Sequence, residues 1–342
     1  MSRLFRRFAK HVGRPSPGLP MSAASWSSAF SDFVSIGAVS PADLAAGSTF
    51  LWRRSREAQA MLVGIGHEAN EETIQQLSQS LRREALSRLH TFSAVEMTEL
   101  LHACSRTPTD DFRRKLVASS EVVRGRISSL EPRGLALVLN AYARVQVKDQ
   151  AVFSAVSVRG TETSEGADPQ AVTGLLFAFA KLRVYHHRLF SILKKRVTQL
   201  ADELPLVEVA RCLFAFSRSL PLPHKKEPLA FAYQLGHRGF GDVLSVLFAR
   251  LEDLVRSASE KEPISTDTCL LSLQALEVLQ WRSPSMLKVL FRQLDERLLS
   301  AQDHVVVLQA ASRLCAGSFL RAPASLTVPF AGCSEDVGAA GL

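Results

Sequence analysis

The chain has 342 residues, of which 46% are hydrophobic and 22% are charged, so it has enough apolar residues for a folded core and is not wholly disordered. With 18 glycines and 15 prolines, it is neither collagen-like nor a low-complexity chain. The net charge is +8, and no stretch approaches eighteen apolar residues without a charge, so we expect no membrane span.

The first 31 residues contain five basic side chains, seven serines and no acidic residue. On a helix, Leu4, Phe5, Phe8 and Val12 fall on one face and the basic residues cover the rest. This composition is typical of a mitochondrial transit peptide, because its positive charge is attracted by a negative-inside membrane potential. We therefore predict a protein of the mitochondrial matrix; the alternative is a disordered basic tail.

An internal repeat dominates the rest of the chain. Three segments align without gaps: residues 139–145 (LNAYARV), 176–182 (LFAFAKL) and 213–219 (LFAFSRS). Their central alanines are spaced 37 residues apart, and three weaker copies flank them. The central alanines of the six copies are Ala103, Ala141, Ala178, Ala215, Ala275 and Ala310.

Each copy is predicted to form a helix, a short turn and a second apolar helix. Such a pair cannot bury its apolar face alone, so we predict an all-α, right-handed superhelical solenoid of stacked two-helix repeats of about 37 residues. Alanines in the first helices, at 141, 143, 178 and 180, are predicted to let neighbouring helices approach closely. The aromatic column of Tyr142, Phe179 and Phe216 is predicted to lie in the core. A first helix is predicted to begin at Pro169, with Asp168 as its N-cap.

The predicted organisation has four parts. Residues 1–31 are the targeting segment or basic tail, and residues 54–91 are an N-terminal helical cap. Residues 92–320 are the repeat array, with an insertion around 219–241, and residues 321–342 are an irregular tail. Within the array, residues 155–167 are predicted to form a polar loop, because Thr, Ser, Glu and Gly are concentrated there.

The pattern Leu-x-Ala-aromatic-Ala-Arg/Lys in residues 139–147, 176–184 and 213–220 resembles the heptatricopeptide and octotricopeptide repeat proteins and the related repeats of the Fas-activated serine/threonine kinase family. The resemblance extends over residues 92–320. It implies an organellar role in RNA stability, RNA processing or ribosome assembly. Many of these proteins end in a small α/β module, the RAP domain, which we do not find in this sequence; we therefore expect no nuclease-like activity.

Three residues after the central alanine, five of the six copies carry Lys or Arg, although these types make up only 41 of the 342 residues. Stacking is predicted to align them in a stripe that meets the phosphates of an RNA strand. Alternatively, they complement the dipole at the C-terminus of each first helix, which contributes about 0.3–1 kcal/mol per helix without any ligand. The five residues are Arg106, Arg144, Lys181, Arg218 and Arg313.

Residues 181–226 carry ten basic and three acidic side chains, which makes a local positive field suited to a polyanion. The alternatives are a solvated basic face or an acidic protein partner. Together with the stripe, this segment gives the predicted RNA-binding residues: Arg106, Arg144, Lys181, Arg183, Arg188, Lys194, Lys195, Arg196, Arg218, Lys225, Lys226 and Arg313.

The sequence contains no catalytic or cofactor signature. It has no Walker loop, no GxGxxG after a strand, no HExxH and nothing like GxSxG, so we predict no enzyme activity, no cofactor and no small-molecule substrate. His186 and His187 are adjacent and diverge on a helix, so no metal site is predicted. The cysteines are predicted to be reduced, and four to be buried: Cys104, Cys212, Cys269 and Cys315.

Two functional hypotheses remain. The first is a non-catalytic mitochondrial RNA-binding protein, either a mitoribosome component or a maturation factor for rRNA or mRNA, with RNA and the protein subunits of a larger assembly as partners. The second is a protein–protein scaffold subunit of a mitochondrial complex, with no RNA contact of its own. Basic residues that converge on one surface would favour the first, and dispersed charge with an exposed apolar patch would favour the second.

Overall fold

The computed structural model describes residues 7–8, 28, 32–33, 39–53, 71–219, 241–261, 263–295 and 299–314. These residues form two compact units, Met1–Glu203 and Leu204–Leu342, and contain fourteen α-helices and no strand. The helices are α1 (Pro41–Arg53), α2 (Glu71–Ser87), α3 (Ala94–Ser105), α4 (Asp110–Ala118), α5 (Ser120–Arg126), α6 (Pro132–Arg144), α7 (Gln150–Thr163), α8 (Pro169–Lys181), α9 (His187–Leu200), α10 (Leu206–Ser219), α11 (Gly241–Lys261), α12 (Thr266–Leu279), α13 (Pro284–Asp295) and α14 (Ala301–Leu314).

The helices of the first unit pack in series. The first helices of successive repeats are α1, α3, α6 and α8, and each packs against the next. The second helices are α2, the pair α4 and α5, α7 and α9; α2 packs on α4, and α7 packs on both α5 and α9. This arrangement confirms the predicted all-α class and the stacking of two-helix repeats.

The second unit repeats the same pattern. Its first helices are α10, α12 and α14, which pack in that order, and its second helices α11 and α13 pack against each other and against α10 and α12 respectively. The right-handed superhelical sense of the array stays a prediction.

The repeat signature coincides with the core. All six central alanines are at most 1% exposed, so successive first helices approach each other at a methyl group. The aromatic column that follows them, Tyr142, Phe179 and Phe216, is fully buried, which confirms its predicted place in the core. The Phe179 ring makes edge contacts with Phe153 at 5.1 Å and Phe190 at 6.0 Å between ring centroids, and so joins the second helices of two repeats.

Side-chain caps fix where the helices begin. The Asp168 side chain accepts a 2.7 Å hydrogen bond from the amide of Ala171, and α8 begins at Pro169, as predicted. The second helices α4, α7 and α9 are capped in the same way by Thr109, Asp149 and His186.

The predicted polar loop over residues 155–167 is wrong. Helix α7 continues to Thr163, and a single 3-10 turn, Ser164–Gly166, completes the connection. The hydroxyls of Thr161 and Thr163 donate to the carbonyls of residues 157 and 159, so they are satisfied inside the helix. Gly160 faces Leu189 on α9 at a distance that leaves little room for a side chain, which explains a glycine within the helix.

Several predicted segments lie wholly or largely outside the described residues. They are most of the targeting segment 1–31, the first part of the cap 54–91, residues 220–240 of the insertion, and the tail 321–342. Within the first of these, Phe8 is buried and its ring packs on Phe33 at 5.5 Å. Helix α1, which precedes the predicted cap, provides the first helix of an additional repeat.

We predict that Ala178→Leu destabilises the first unit by about 1–3 kcal/mol, because the added atoms must fit between α6 and α8. Urea unfolding followed by circular dichroism measures the effect. Ala151→Leu makes the same change at an exposed position of α7 and is expected to alter the free energy of unfolding by less than about 0.5 kcal/mol. Equal effects of the two substitutions would contradict close packing at the alanine.

Candidate nucleic-acid interface

The predicted stripe residues occupy the ends of first helices. Arg144 and Lys181 are the last residues of α6 and α8, and Arg106 is the C-cap of α3. In the second unit, Arg218 and Arg313 lie in the last turns of α10 and α14. The five residues therefore occupy equivalent positions in their repeats, as the sequence alignment predicted. All five lie where the helix dipole favours a cation.

Two of these arginines join neighbouring repeats. Arg144 Nη1 donates a 3.1 Å hydrogen bond to the Ser105 hydroxyl and lies 3.4 Å from His102 Nδ1 on the preceding first helix. Arg313 pairs in the same way with the buried carboxylate of Glu277. Ser105 and Glu277 both stand two residues after a central alanine, so the same contact occurs in two copies of the repeat. A structural role is thereby established for both arginines.

Lys181 has the same position but a different neighbour. The residue two positions after the central alanine on α6 is Ala143, which has no polar side chain to accept a bond from Lys181. Burial, and next the charge of Arg144, lower the pKa of the half-buried Lys181 below its ordinary value. Arg144 and Lys181 thus bring two like charges together at the ends of adjacent helices, and the inter-repeat contact does not explain Lys181.

Helices α8 and α9 form the most basic part of the first unit. Residues 169–201, here called the basic repeat, contain six basic residues and no Asp or Glu. Arg183 is exposed in the turn between the helices, and Arg188 and Lys195 are exposed seven residues apart on α9. Arg188 lies in the first turn of α9, where the helix dipole disfavours a cation, so capping does not explain it.

The turn after α8 has an unusual backbone. Arg183 has a φ of 52°, and Gln146, at the same position of the preceding repeat, has a φ of 56°. A residue with a side chain is strained in this left-handed region, where glycine is preferred. The strain is part of the helix stop, since the amide of Val184 reaches back to the Phe179 carbonyl at 2.9 Å.

Arg196 is also a predicted RNA-binding residue, and the structure gives it an internal partner. Its Nε donates to the Ala167 carbonyl at 2.9 Å, and Arg159 Nε makes the equivalent bond to the Leu130 carbonyl at 3.2 Å. Arg159 and Arg196 thus each hold the backbone that leads into the first helix of their own repeat. Sequence reasoning missed this role, although the 37-residue spacing of Arg159 and Arg196 signals it.

The other predicted residues are placed as follows. Lys194 is half-buried on α9. Arg218 lies with its guanidinium carbon 5.1 Å from the centre of the Phe214 ring, a cation–π contact. Lys225 and Lys226 lie outside the described residues. An RNA-binding role for each predicted residue stays a prediction.

An aromatic residue that sequence reasoning missed lies among these charges. Tyr185 is in the turn between α8 and α9 and is 38% exposed. Its ring packs on Phe190 at 4.8 Å and meets the His187 ring edge-on at 6.4 Å. The sequence could have revealed Tyr185, because the equivalent residue one repeat earlier is Lys148. Packing between repeats therefore does not require an aromatic ring at this position.

The described residues offer little for metal or thiol chemistry. They hold no group of three or more potential metal ligands, and His186 Nδ1 instead accepts a 3.3 Å bond from the Leu189 amide. Cys104, Cys212 and Cys269 are buried free thiols, as predicted, and burial raises the pKa of Cys104 to about 12. Cys315, the fourth cysteine predicted to be buried, lies outside the described residues. None of the helices in these ranges has the length and apolar character to cross a bilayer.

The fold and the site together define a helical-repeat protein with one strongly basic repeat. Residues 65–224 are similar to a protein family described as RNA-editing substrate-binding complex 6 protein. The match covers just under half of the chain, extends from α2 to α10 and includes the whole basic repeat. No curated protein matches the chain. The resemblance to heptatricopeptide, octotricopeptide and Fas-activated kinase repeats stays a prediction.

We predict that Arg196→Gln lowers the free energy of unfolding by about 1 kcal/mol, because the bond to the Ala167 carbonyl is lost. Lys195→Gln, at the exposed neighbouring position, should change it by less than about 0.5 kcal/mol. Urea unfolding of both variants measures the difference. If the two variants unfold alike, the arginine contact does not hold the repeat together.

Proposed function

We propose that this chain is a non-catalytic RNA-binding protein that holds RNA phosphates on its basic repeat. The observation that carries the proposal is a complete two-helix repeat with six basic residues and no acid, in which Lys181, Arg183 and Arg188 are not accounted for by contacts between repeats. A surface of this kind suits a polyanion, and binding to it is expected to weaken as salt rises.

The similarity to the RNA-editing substrate-binding complex family supports RNA as the polyanion. The description of that family also favours a subunit of an RNA-maturation assembly over a mitoribosome component. We propose the mitochondrial matrix as its location, because residues 1–31 have the composition of a transit peptide. The partners in this proposal are an organellar transcript or rRNA and the protein subunits of the same assembly.

A scaffold subunit without RNA contact is the second candidate function. It is favoured by the internal contacts of Arg144, Arg196 and Arg313, which use predicted RNA-binding charges to hold repeats together. Exposed Val305 and Leu308 on α14 add apolar surface in the second unit. This candidate predicts that the full chain does not bind RNA even at low salt.

The test uses Arg183 in the strained turn, because the effect of its charge on RNA binding and the effect of its backbone on stability can be measured separately. We predict that Arg183→Gly weakens binding to a short single-stranded RNA and makes the negative slope of log affinity against log salt shallower by about 0.7, the value for one lost phosphate contact. The same substitution should stabilise the first unit by about 1 kcal/mol, because glycine accepts the left-handed backbone. Fluorescence anisotropy across a salt series and urea unfolding give the two readouts.

Gln146→Gly is the matched control, since it relieves the same backbone strain one repeat earlier without removing charge. It should leave RNA affinity unchanged and stabilise the unit less than Arg183→Gly does, because it also removes the 3.1 Å bond from Gln146 Nε2 to the Ala143 carbonyl. Equal weakening of binding by both variants would assign the effect to the backbone. Absence of RNA binding by the folded wild-type chain at low salt would reject the proposed function and leave the scaffold.

A further inference from the structure

Tyr185 departs from the pattern of aromatic residues in the repeats. Tyr142, Phe179, Phe190 and Phe216 are fully buried, whereas Tyr185 keeps 38% of its surface exposed. Neither core packing nor the repeat register calls for a ring here, because the preceding repeat has Lys148 at this position.

The ring is nevertheless held in place. It packs on Phe190 with 4.8 Å between ring centroids, and Phe190 is itself fixed by an edge contact with Phe179 at 6.0 Å. The His187 ring meets it nearly perpendicularly at 6.4 Å. A partly exposed ring with a fixed base loses little conformational entropy when another planar group stacks on it.

Two arginines lie near Tyr185 in the chain. Arg183 lies in the same turn and Arg188 lies in the first turn of α9; both are exposed, and no acidic residue occurs between residues 169 and 201. An aromatic ring between cations is the combination by which proteins bind single-stranded nucleic acid: the base stacks on the ring, and the adjacent phosphates meet the charges.

We propose that Tyr185 is a stacking platform for an unpaired base of single-stranded RNA, whose neighbouring phosphates contact Arg183 and Arg188. The proposal rests on the proposed function and narrows its substrate class. In a duplex each base already stacks on its neighbours, so the ring gains nothing from paired RNA. Every base has a π face, and the platform therefore accepts any base.

The experiment compares Tyr185→Leu and Tyr185→Phe in the full chain. The leucine keeps an apolar contact with Phe190 but has no π face, whereas the phenylalanine keeps the ring. We expect Tyr185→Leu to bind a short single-stranded RNA about 5- to 10-fold more weakly, the lower part of the range for one stacked base, because the ring is only partly exposed. Tyr185→Phe should bind within about twofold of wild type, since the stacking face remains.

Two further readouts separate stacking from charge. The slope of log affinity against log salt should be unchanged in Tyr185→Leu, because no phosphate contact is lost, whereas it becomes shallower in Arg183→Gly. The fluorescence of a 2-aminopurine base in the RNA should fall on binding to wild type and to Tyr185→Phe, and fall less on binding to Tyr185→Leu. Binding of the same sequence as a duplex should be insensitive to all substitutions at this position.

Trp281→Leu is the control for loss of an exposed ring, since Trp281 is 41% exposed in the second unit and already stacks on Phe248 at 4.2 Å. It should leave RNA affinity unchanged. If wild type binds RNA and Tyr185→Leu binds equally well, or if leucine and phenylalanine weaken binding alike, the stacking platform is rejected while the RNA-binding function stands. If wild type binds no RNA, the function itself fails.

Discussion

The close approach of successive first helices at the central alanine is the constraint on which the rest of this structure depends. A two-helix unit has too little interior of its own, so each repeat is stabilised by its neighbours. Because Ala141 and Ala178 are fully buried, the helices meet at a fixed register, and every residue at a given distance from the alanine has a fixed place. The aromatic residue one position later enters the core, and the residue three positions later reaches the helix end.

The helix stop is a second consequence of this register. Five residues after the central alanine, Gln146, Arg183 and Gln280 all adopt a left-handed backbone, and the next amide bonds back into the helix. The backbone of this turn is nearly constant, while its side chains differ from repeat to repeat. The array therefore presents different chemistry at equivalent points without changing its fold, which is how a basic repeat can stand next to a nearly neutral one.

Sequence periodicity was sufficient to predict what depends on neighbours along the chain. The alanine positions, the buried aromatic column and the Asp168 cap all follow from local spacing, and all are confirmed. Residues 155–167 were misassigned because their composition is that of a loop, whereas the buried face of α7 and hydroxyl-to-carbonyl bonds within the helix keep them helical. The bond from Arg196 to Ala167 spans 29 residues, and only comparison with Arg159 reveals it before the fold is known.

In five of the six copies a basic residue stands near the end of the first helix, and the side chain on the preceding helix determines its contacts. Where that helix carries Ser105 or Glu277, the arginine of the next repeat bonds to this side chain and links the two repeats. Where it presents Ala143, Lys181 receives no such acceptor and lies near the charge of Arg144. Because the pKa of Lys181 is lower in the folded chain than in the unfolded chain, its protonated form destabilises the fold at neutral pH, and this cost disappears only as the pH rises above the unfolded pKa. A phosphate beside these two cations would replace their repulsion by attraction, so the proposed RNA contact would also relieve a cost within the fold.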